Sequence, residues 1–407
     1  MFSSYRGLSK DAKYLIFQSI LPSVAYGMFF TDLSYFLTTV QGLSYSFMGL
    51  VITTMGIATF AASVPLGIAA DKFGRKKMLI IGNVIAGMIL VVFAFTTNPI
   101  ALLAAAVFEG ISEAAFSASS GAWLAEKAQP EKRNSVFSLY GFAQSLAFGI
   151  GSLAIPAVVI FELLGFSNNM SHSLLYVTLA SLSLGSIVIL LKVKESDRTK
   201  EKQGPQIEDL VKASRKQSRR IIIKYVVSGA IIAIGAGMVV PLMTAWLKAQ
   251  YGIPDTISGP ILGVVSLFIA VATLAGPMLA KRFGLTRAIV TTQALSTVFM
   301  FATPLSSSYV VASSVYTIRA FLMNMASPLS QSMIMGLVRE DERGMASGVN
   351  TALWRLPNAL STYAGAYLIS IGLLAAPFFA ASLLYALSIA LFWIFFRKTK
   401  MPEEQAT

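Results

Sequence analysis

The chain has 407 residues, of which 55% are hydrophobic and only 13% are charged. Soluble domains carry about 25% charged residues, so a mean hydropathy of +0.69 excludes most soluble folds. The absence of cysteine and the single histidine exclude disulfide frameworks, iron–sulfur clusters and thiolate zinc sites. The net charge of +13 lies in the gaps between apolar runs, not over a surface, which argues against nucleic acid as a partner.

A helix needs about 20 apolar residues to cross a bilayer. The runs here are continuous, not alternating, which excludes a β-barrel. After a polar segment, Met1 to Lys13, with no cleavable signal peptide, span 1 is predicted over 14–38 and carries Asp32 in its outer part. Span 2 (45–70) runs into Gly67-Ile-Ala-Ala-Asp71-Lys-Phe-Gly74-Arg75-Lys76-Lys77. Gly67 suits close approach to a neighbouring helix and Gly74 a sharp turn. Asp71 suits a helix N-terminus or a basic partner. Span 3 follows at 78–97. Span 4 (99–125) holds Glu109 and Glu113 near its middle, with Ser112, Ser117, Ser119 and Ser120 suited to close packing.

Span 5 (135–161) leads to an external loop. Asn169-Met-Ser171 there fits a glycosylation acceptor, with His172 exposed beside it. Span 6 (173–192) precedes the one long polar segment, 193–220, which contains Gly204–Pro205. Ile207 to Arg220 is expected to form a short helix on the membrane surface. Spans 7 to 12 are predicted at 221–247, 256–280, 288–307, 309–337, 344–371 and 375–396. Arg319 falls in span 10 and Arg355 near the middle of span 11, with Trp354 beside it. Trp123, Trp246 and Trp393 fall near span ends and read as interfacial anchors.

With an even number of spans, both termini share a side. All but three of the 32 Lys and Arg residues then fall on that side, the exceptions being Lys248, Arg319 and Arg355. By the positive-inside rule both termini are cytoplasmic, in a multi-pass protein of the plasma membrane. The chain also repeats itself at an offset of 210 residues. Asp71-Lys-Phe-Gly74 aligns with Lys281-Arg-Phe-Gly284, Glu131-Lys-Arg133 with Asp341-Glu-Arg343, Gly27 with Gly237 and Gly49 with Gly259. The expected organisation is residues 1–192 and 221–407 as six-helix bundles joined by a cytoplasmic linker, 193–220.

The 67–77 segment resembles the loop 2–3 signature of the major facilitator superfamily, G-x-x-x-D-x-x-G-R-[KR]-[KR]. The six-plus-six spans and the weaker second copy fit the same family. The resemblance implies an all-α membrane fold of twelve transmembrane helices in two pseudo-symmetric six-helix bundles, with helices 1, 4, 7 and 10 around a central cavity. It also implies that Gly67, Asp71, Gly74 and Arg75 gate the cytoplasmic side. The sequence departs from the family in two places. Ala106 stands where many proton-driven members carry an arginine. Gly151-Ser-Leu-Ala-Ile155-Pro156 lacks the second glycine of the antiporter pattern.

Charges inside a membrane are costly and are functional candidates by default. Glu109 and Glu113 share a helical face. Two close carboxylates in a low-dielectric cavity do not readily both ionise, so one is expected to hold a proton. Glu109, Glu113 and Asp32 are the proton-coupling candidates, and Arg319, Arg355 and Trp354 the substrate-binding ones. Arg319 is the repeat equivalent of Glu109. No phosphate loop and no H-E-x-x-H sequence is present, so neither an ATP-driven pump nor a zinc protease is expected, and no enzyme. The reading is a secondary active transporter, a proton-coupled exporter (antiporter) of lipophilic or cationic compounds of the multidrug-efflux kind. One alternative is a carrier of an anionic metabolite held by the arginines. Another is a transport-dead sensor or lipid scramblase. The expected partners are a small-molecule substrate, protons and the bilayer around a monomer, with no cofactor or metal.

Overall fold

The computed structural model describes residues 9–127, 133–193, 208–337 and 343–397, and these are almost wholly helical. Twelve long helices follow one another among the described residues. They are α1 (Lys10–Tyr35, extended by a π turn Phe36–Val40), α2 (Tyr45–Phe73), α3 (Arg75–Phe95) and α4 (Pro99–Lys127). Next come α5 (Arg133–Leu153, continued by Ile155–Ala157 and Val158–Leu163), α6 (Asn168–Leu191), α7 (Glu208–Gly237, continued by Val240–Leu242 and Met243–Tyr251) and α8 (Asp255–Phe283). The last four are α9 (Leu285–Ala302), α10 (Tyr309–Leu337), α11 (Arg343–Ser370) and α12 (Ala376–Phe396). Hydroxyl caps start several of them. Ser9, Ser44 and Ser167 accept from the amides of Ala12, Phe47 and Met170, satisfying first-turn donors.

Ten of these helices are long and apolar enough to cross a membrane. The other two, α10 and α11, have 29 and 28 residues and coincide with predicted spans 10 and 11. Large apolar side chains point outward from the helices, as at Val64, Ile68, Ile100 and Leu383. Such a surface suits lipid as its solvent.

Packing divides the chain into two compact units. The first comprises Met1–Glu195, Val240–Ala270 and Thr362–Leu374; the second comprises Ser196–Val239, Val271–Ser361 and Ala375–Thr407. In the first unit, helix backbones meet at glycines. A Cβ on Gly27 of α1 would overlap the backbone of Phe148 on α5, and one on Gly110 of α4 the carbonyl of Met55 on α2. An apolar cluster of Leu15, Leu79, Trp123, Val136 and Leu190 closes one end. In the second unit, Ile289, Leu329, Met333, Phe392 and Phe396 form the corresponding core.

The repeat is visible in the geometry. Gly237 meets the backbone of Asn358 in the second unit, and each of these lies 210 residues after its counterpart in the Gly27–Phe148 contact. Gly74 and Gly284 both take positive φ, 109° and 80°, at equivalent helix-to-helix turns. Within the first unit the equivalent hydroxyls of Ser34 and Thr244, also 210 residues apart, hydrogen-bond to each other. The first unit also joins α2 to the end of α11, where Gly49 meets Ala366, and α8 to α5, where Gly259 meets Ile155.

Several expectations need correction. A Cβ at Gly67 meets nothing within 4 Å among the described residues, so close packing on α2 occurs at Gly110 of α4 instead. Trp123 and Trp246 are buried at 0% and 1% exposure and are not interfacial anchors. Their rings face inward, and the Trp246 indole donates to the Leu374 carbonyl at 2.9 Å. His172 is wholly buried, and Asn169 and Ser171 lie in the first turn of α6, not in a loop. Of the expected surface helix over 207–220, residues 208–220 are instead the start of α7, which begins at Glu208. Residues 194–207 of the linker and the side chain of Asp71 lie outside the described residues.

Candidate functional site

The α4 helix begins at Pro99, where Asn98 Oδ1 accepts from the amide of Ile100 at 2.9 Å. Glu109 and Glu113 stand one turn apart on it, flanking the close approach of Gly110 to α2. Glu109 is 6% exposed, and its Oε2 has no hydrogen-bond partner among the described residues. Glu113 lies 3.3 Å from the Thr59 hydroxyl on α2, and that hydroxyl also lies 2.9 Å from the Met55 carbonyl. The Thr59 hydroxyl thus joins α2 to Glu113 of α4 beside the Gly110 contact.

Asp32 is fully buried on α1, and its partners come from α6. The Tyr176 hydroxyl donates to Asp32 Oδ2 at 3.1 Å, and His172 Nδ1 lies 3.2 Å from the same oxygen. The other ring nitrogen, His172 Nε2, lies 3.5 Å from Oδ2 of Asp255, the first residue of α8. Asp32 is thus engaged by His172 and Tyr176, not by the α4 glutamates.

Arg319 on α10 is 4% exposed in the second unit. It donates to the Tyr385 hydroxyl, and its guanidinium lies over the rings of Tyr316 and Tyr385, 5.5 and 5.4 Å from their centroids. Its Nε has no partner, and no carboxylate pairs with it among the described residues. Arg355 is half-buried on α11, and Trp354 beside it is 41% exposed. At the turn between α2 and α3, Arg75 pairs with Glu126 of α4 at 2.8 Å. Lys76 donates to the carbonyls of Leu191 and Val193 at 3.0 and 2.8 Å, which caps the end of α6.

Comparison with known proteins decides the family. The family model described as Major Facilitator Superfamily matches residues 15–227 and 225–407. The chain belongs to the major facilitator superfamily. It is similar to an uncharacterised MFS-type transporter of Bacillus subtilis, 30% identical over 183 residues, a match covering 44% of this chain and 42% of that protein. A proton-coupled antiporter flippase of Staphylococcus haemolyticus, LtaA, is 29% identical over 110 residues, 27% of this chain and 28% of the relative. Among solved structures, a mutant of the nucleoside transporter NupG superposes with a TM-score of 0.76 at 14% identity, covering 95% of this chain and 100% of that one. A D-xylose–proton symporter gives a TM-score of 0.73 at 16% identity, covering 97% and 99%. These structures share the fold of this superfamily member, which is a multi-pass membrane transporter.

Two residues of the Asp32 cluster escape a sequence reading. Asp255 follows Gly252-Ile-Pro and resembles an ordinary helix-starting carboxylate. His172 sits in what looks like a loop. The available signal is the four-residue spacing of His172 and Tyr176, which puts both on one helical face at the depth of Asp32.

Proposed function

We propose that this superfamily member is a proton-coupled exporter of lipophilic or cationic organic solutes, working by antiport. The observation that carries the reading is Glu109, a carboxylate buried at the middle of a span with an oxygen lacking any partner among the described residues. An ionised carboxylate in that setting is strongly disfavoured, whereas a protonated one is tolerated. Glu113 supplies a second proton-accepting oxygen one turn away, and opening to water ionises the pair and offers negative charge to a cation. The similarity to the staphylococcal proton-coupled antiporter flippase supports proton-coupled antiport. The reading includes cytoplasmic termini in the plasma membrane, a monomer of two six-helix bundles joined through 193–220, and a cytoplasmic gate at Gly67, Asp71, Gly74 and Arg75.

Flux driven by a pH gradient in reconstituted vesicles tests the proposal, with Glu109→Gln and Glu113→Gln as the diagnostic variants. A second reading, a carrier of anionic solutes, is favoured by one observation. Arg319 is a buried cation paired with tyrosines and, among the described residues, not with a carboxylate. A planar anion would satisfy its open Nε and neutralise it. The same vesicles separate the two readings by the charge of the solute that moves.

A further inference from the structure

His172 is the only histidine of the chain, and both of its ring nitrogens face carboxylates. The three side chains come from three helices, α1, α6 and α8, all within the first compact unit. Asp32 and His172 are 0% exposed and Asp255 is 3% exposed. Phe36 and Tyr35 flank the imidazole, with ring centroids 5.6 and 6.5 Å away, and Phe36 begins the π turn that ends α1. Such turns recur where a helix must move or present a site.

Counting hydrogens makes the arrangement informative. Each contact between a ring nitrogen and a carboxylate oxygen needs one hydrogen to be attractive. Two contacts need two. A neutral imidazole between two ionised carboxylates supplies only one. His172 Nε2 and Asp255 Oδ2 face each other at 3.5 Å without a hydrogen bond among the described residues, and one further proton, on the imidazole or on Asp255, makes that contact attractive and leaves a net charge of −1. Removing that proton leaves a nitrogen lone pair facing a carboxylate, with a charge of −2 in a site closed to water. Low dielectric makes both effects large.

The other titratable or charged groups around the cluster do not relieve this. Tyr176 already donates to Asp32, and Tyr35 is a neutral ring on α1. Glu162, in the short helix that continues α5, is a further acid within electrostatic reach of His172. Lys248, in the short helix that continues α7, lies over the ring of Tyr35, 5.9 Å from its centroid.

We infer that Asp32, His172 and Asp255 form a proton-binding latch that holds the start of α8 against α1 and α6. The proton is the ligand. Its binding closes this end of the transporter, and its loss drives the start of α8 away and admits water. With the proposed topology this end faces outward. Protons taken up from outside would then close the outer gate and commit the carrier to its inward-facing state, as a proton-driven exporter requires. The inference rests on the proton-coupled reading for its place in the cycle, but the latch itself is testable without any substrate.

The chain has no cysteine, so a single reporter suffices. Ser258, one turn into α8 and 0% exposed, takes the substitution Ser258→Cys. Labelling by a membrane-impermeant maleimide is followed from outside at external pH values from about 5 to 8, the range in which histidine changes charge. Rates are corrected with free thiol at each pH. A one-proton latch makes the rate rise with pH, by up to about tenfold per unit. Asp255→Asn, whose amide donates permanently to His172, is expected to keep labelling slow and flat across the range.

Thermal melting of the detergent-purified variant establishes that it is folded. Pairing Asp32→Asn with the same reporter gives a second variant should the first not express. Labelling independent of pH in the parent, or an unchanged pH profile in the folded variants, overturns the latch. So does zinc ion slowing the labelling at constant pH in chelator-treated protein, which marks a metal clamp. Failure of pH-driven flux with the latch profile intact would instead count against the exporter reading alone.

Discussion

At the scale of single residues, the side chains that matter are those whose atoms have too few or too many partners. Gly27 illustrates the second kind, since any side chain there runs into the backbone of Phe148. Gly27→Val is expected to destabilise the first unit by about 1–3 kcal/mol, the usual penalty for overpacking. Gly121→Ala is the control, because its Cβ meets nothing within 4 Å among the described residues. Melting temperatures of the two purified variants check this, and equal values would contradict it. Glu109 and Arg319 illustrate the first kind, each with a buried polar atom lacking a partner among the described residues. Both were legible in the sequence as charges inside apolar runs, because a membrane leaves no ordinary reason for such residues. His172 and Asp255 were not, because each sits at a helix start where polar residues are common, and only the packing of α6 against α1 and α8 reveals them.

At the scale of helices, the polar signals act mainly at the ends. Ser9, Ser44 and Ser167 start helices, while Lys76 finishes one that is distant in sequence. Its ammonium satisfies two carbonyls at the end of α6, where the helix dipole also favours a cation. Lys76→Met should cost about 0.5–1 kcal/mol locally. Hydrogen exchange at the amides of 188–193 is expected to speed up by about threefold to fivefold, with the amides of α12 unchanged as reference. Uniform exchange would show that the lysine serves topology alone. The helices themselves were readable because about 20 apolar residues in a row admit few other structures. The orientation of their faces was not. With lipid outside and protein inside, apolar residues occupy both sides, so Trp123 and Trp246 look like interfacial anchors while filling the interior.

At the scale of the whole molecule, the repeat at 210 residues is the feature that links sequence to fold most directly. Charged loops revealed it in the sequence. The structure carries it into backbone contacts, with Gly27 on Phe148 answered by Gly237 on Asn358. The proposed topology follows from where the Lys and Arg residues lie. A cysteine at Gln203 should react with an impermeant maleimide only after the cell membrane is opened, and labelling of intact cells would invert the orientation.

The central claim is that Glu109 and Glu113 couple solute movement to protons. The measurement is uptake of a lipophilic cation into inverted, reconstituted vesicles under an imposed pH gradient, acidic inside, with equal protein incorporated for every variant. The account predicts that the wild type concentrates the solute. It predicts that Glu113→Gln, Glu109→Gln and the double variant lose driven uptake by at least about tenfold while downhill movement and binding persist. Driven uptake at the wild-type rate in all three variants would contradict the account.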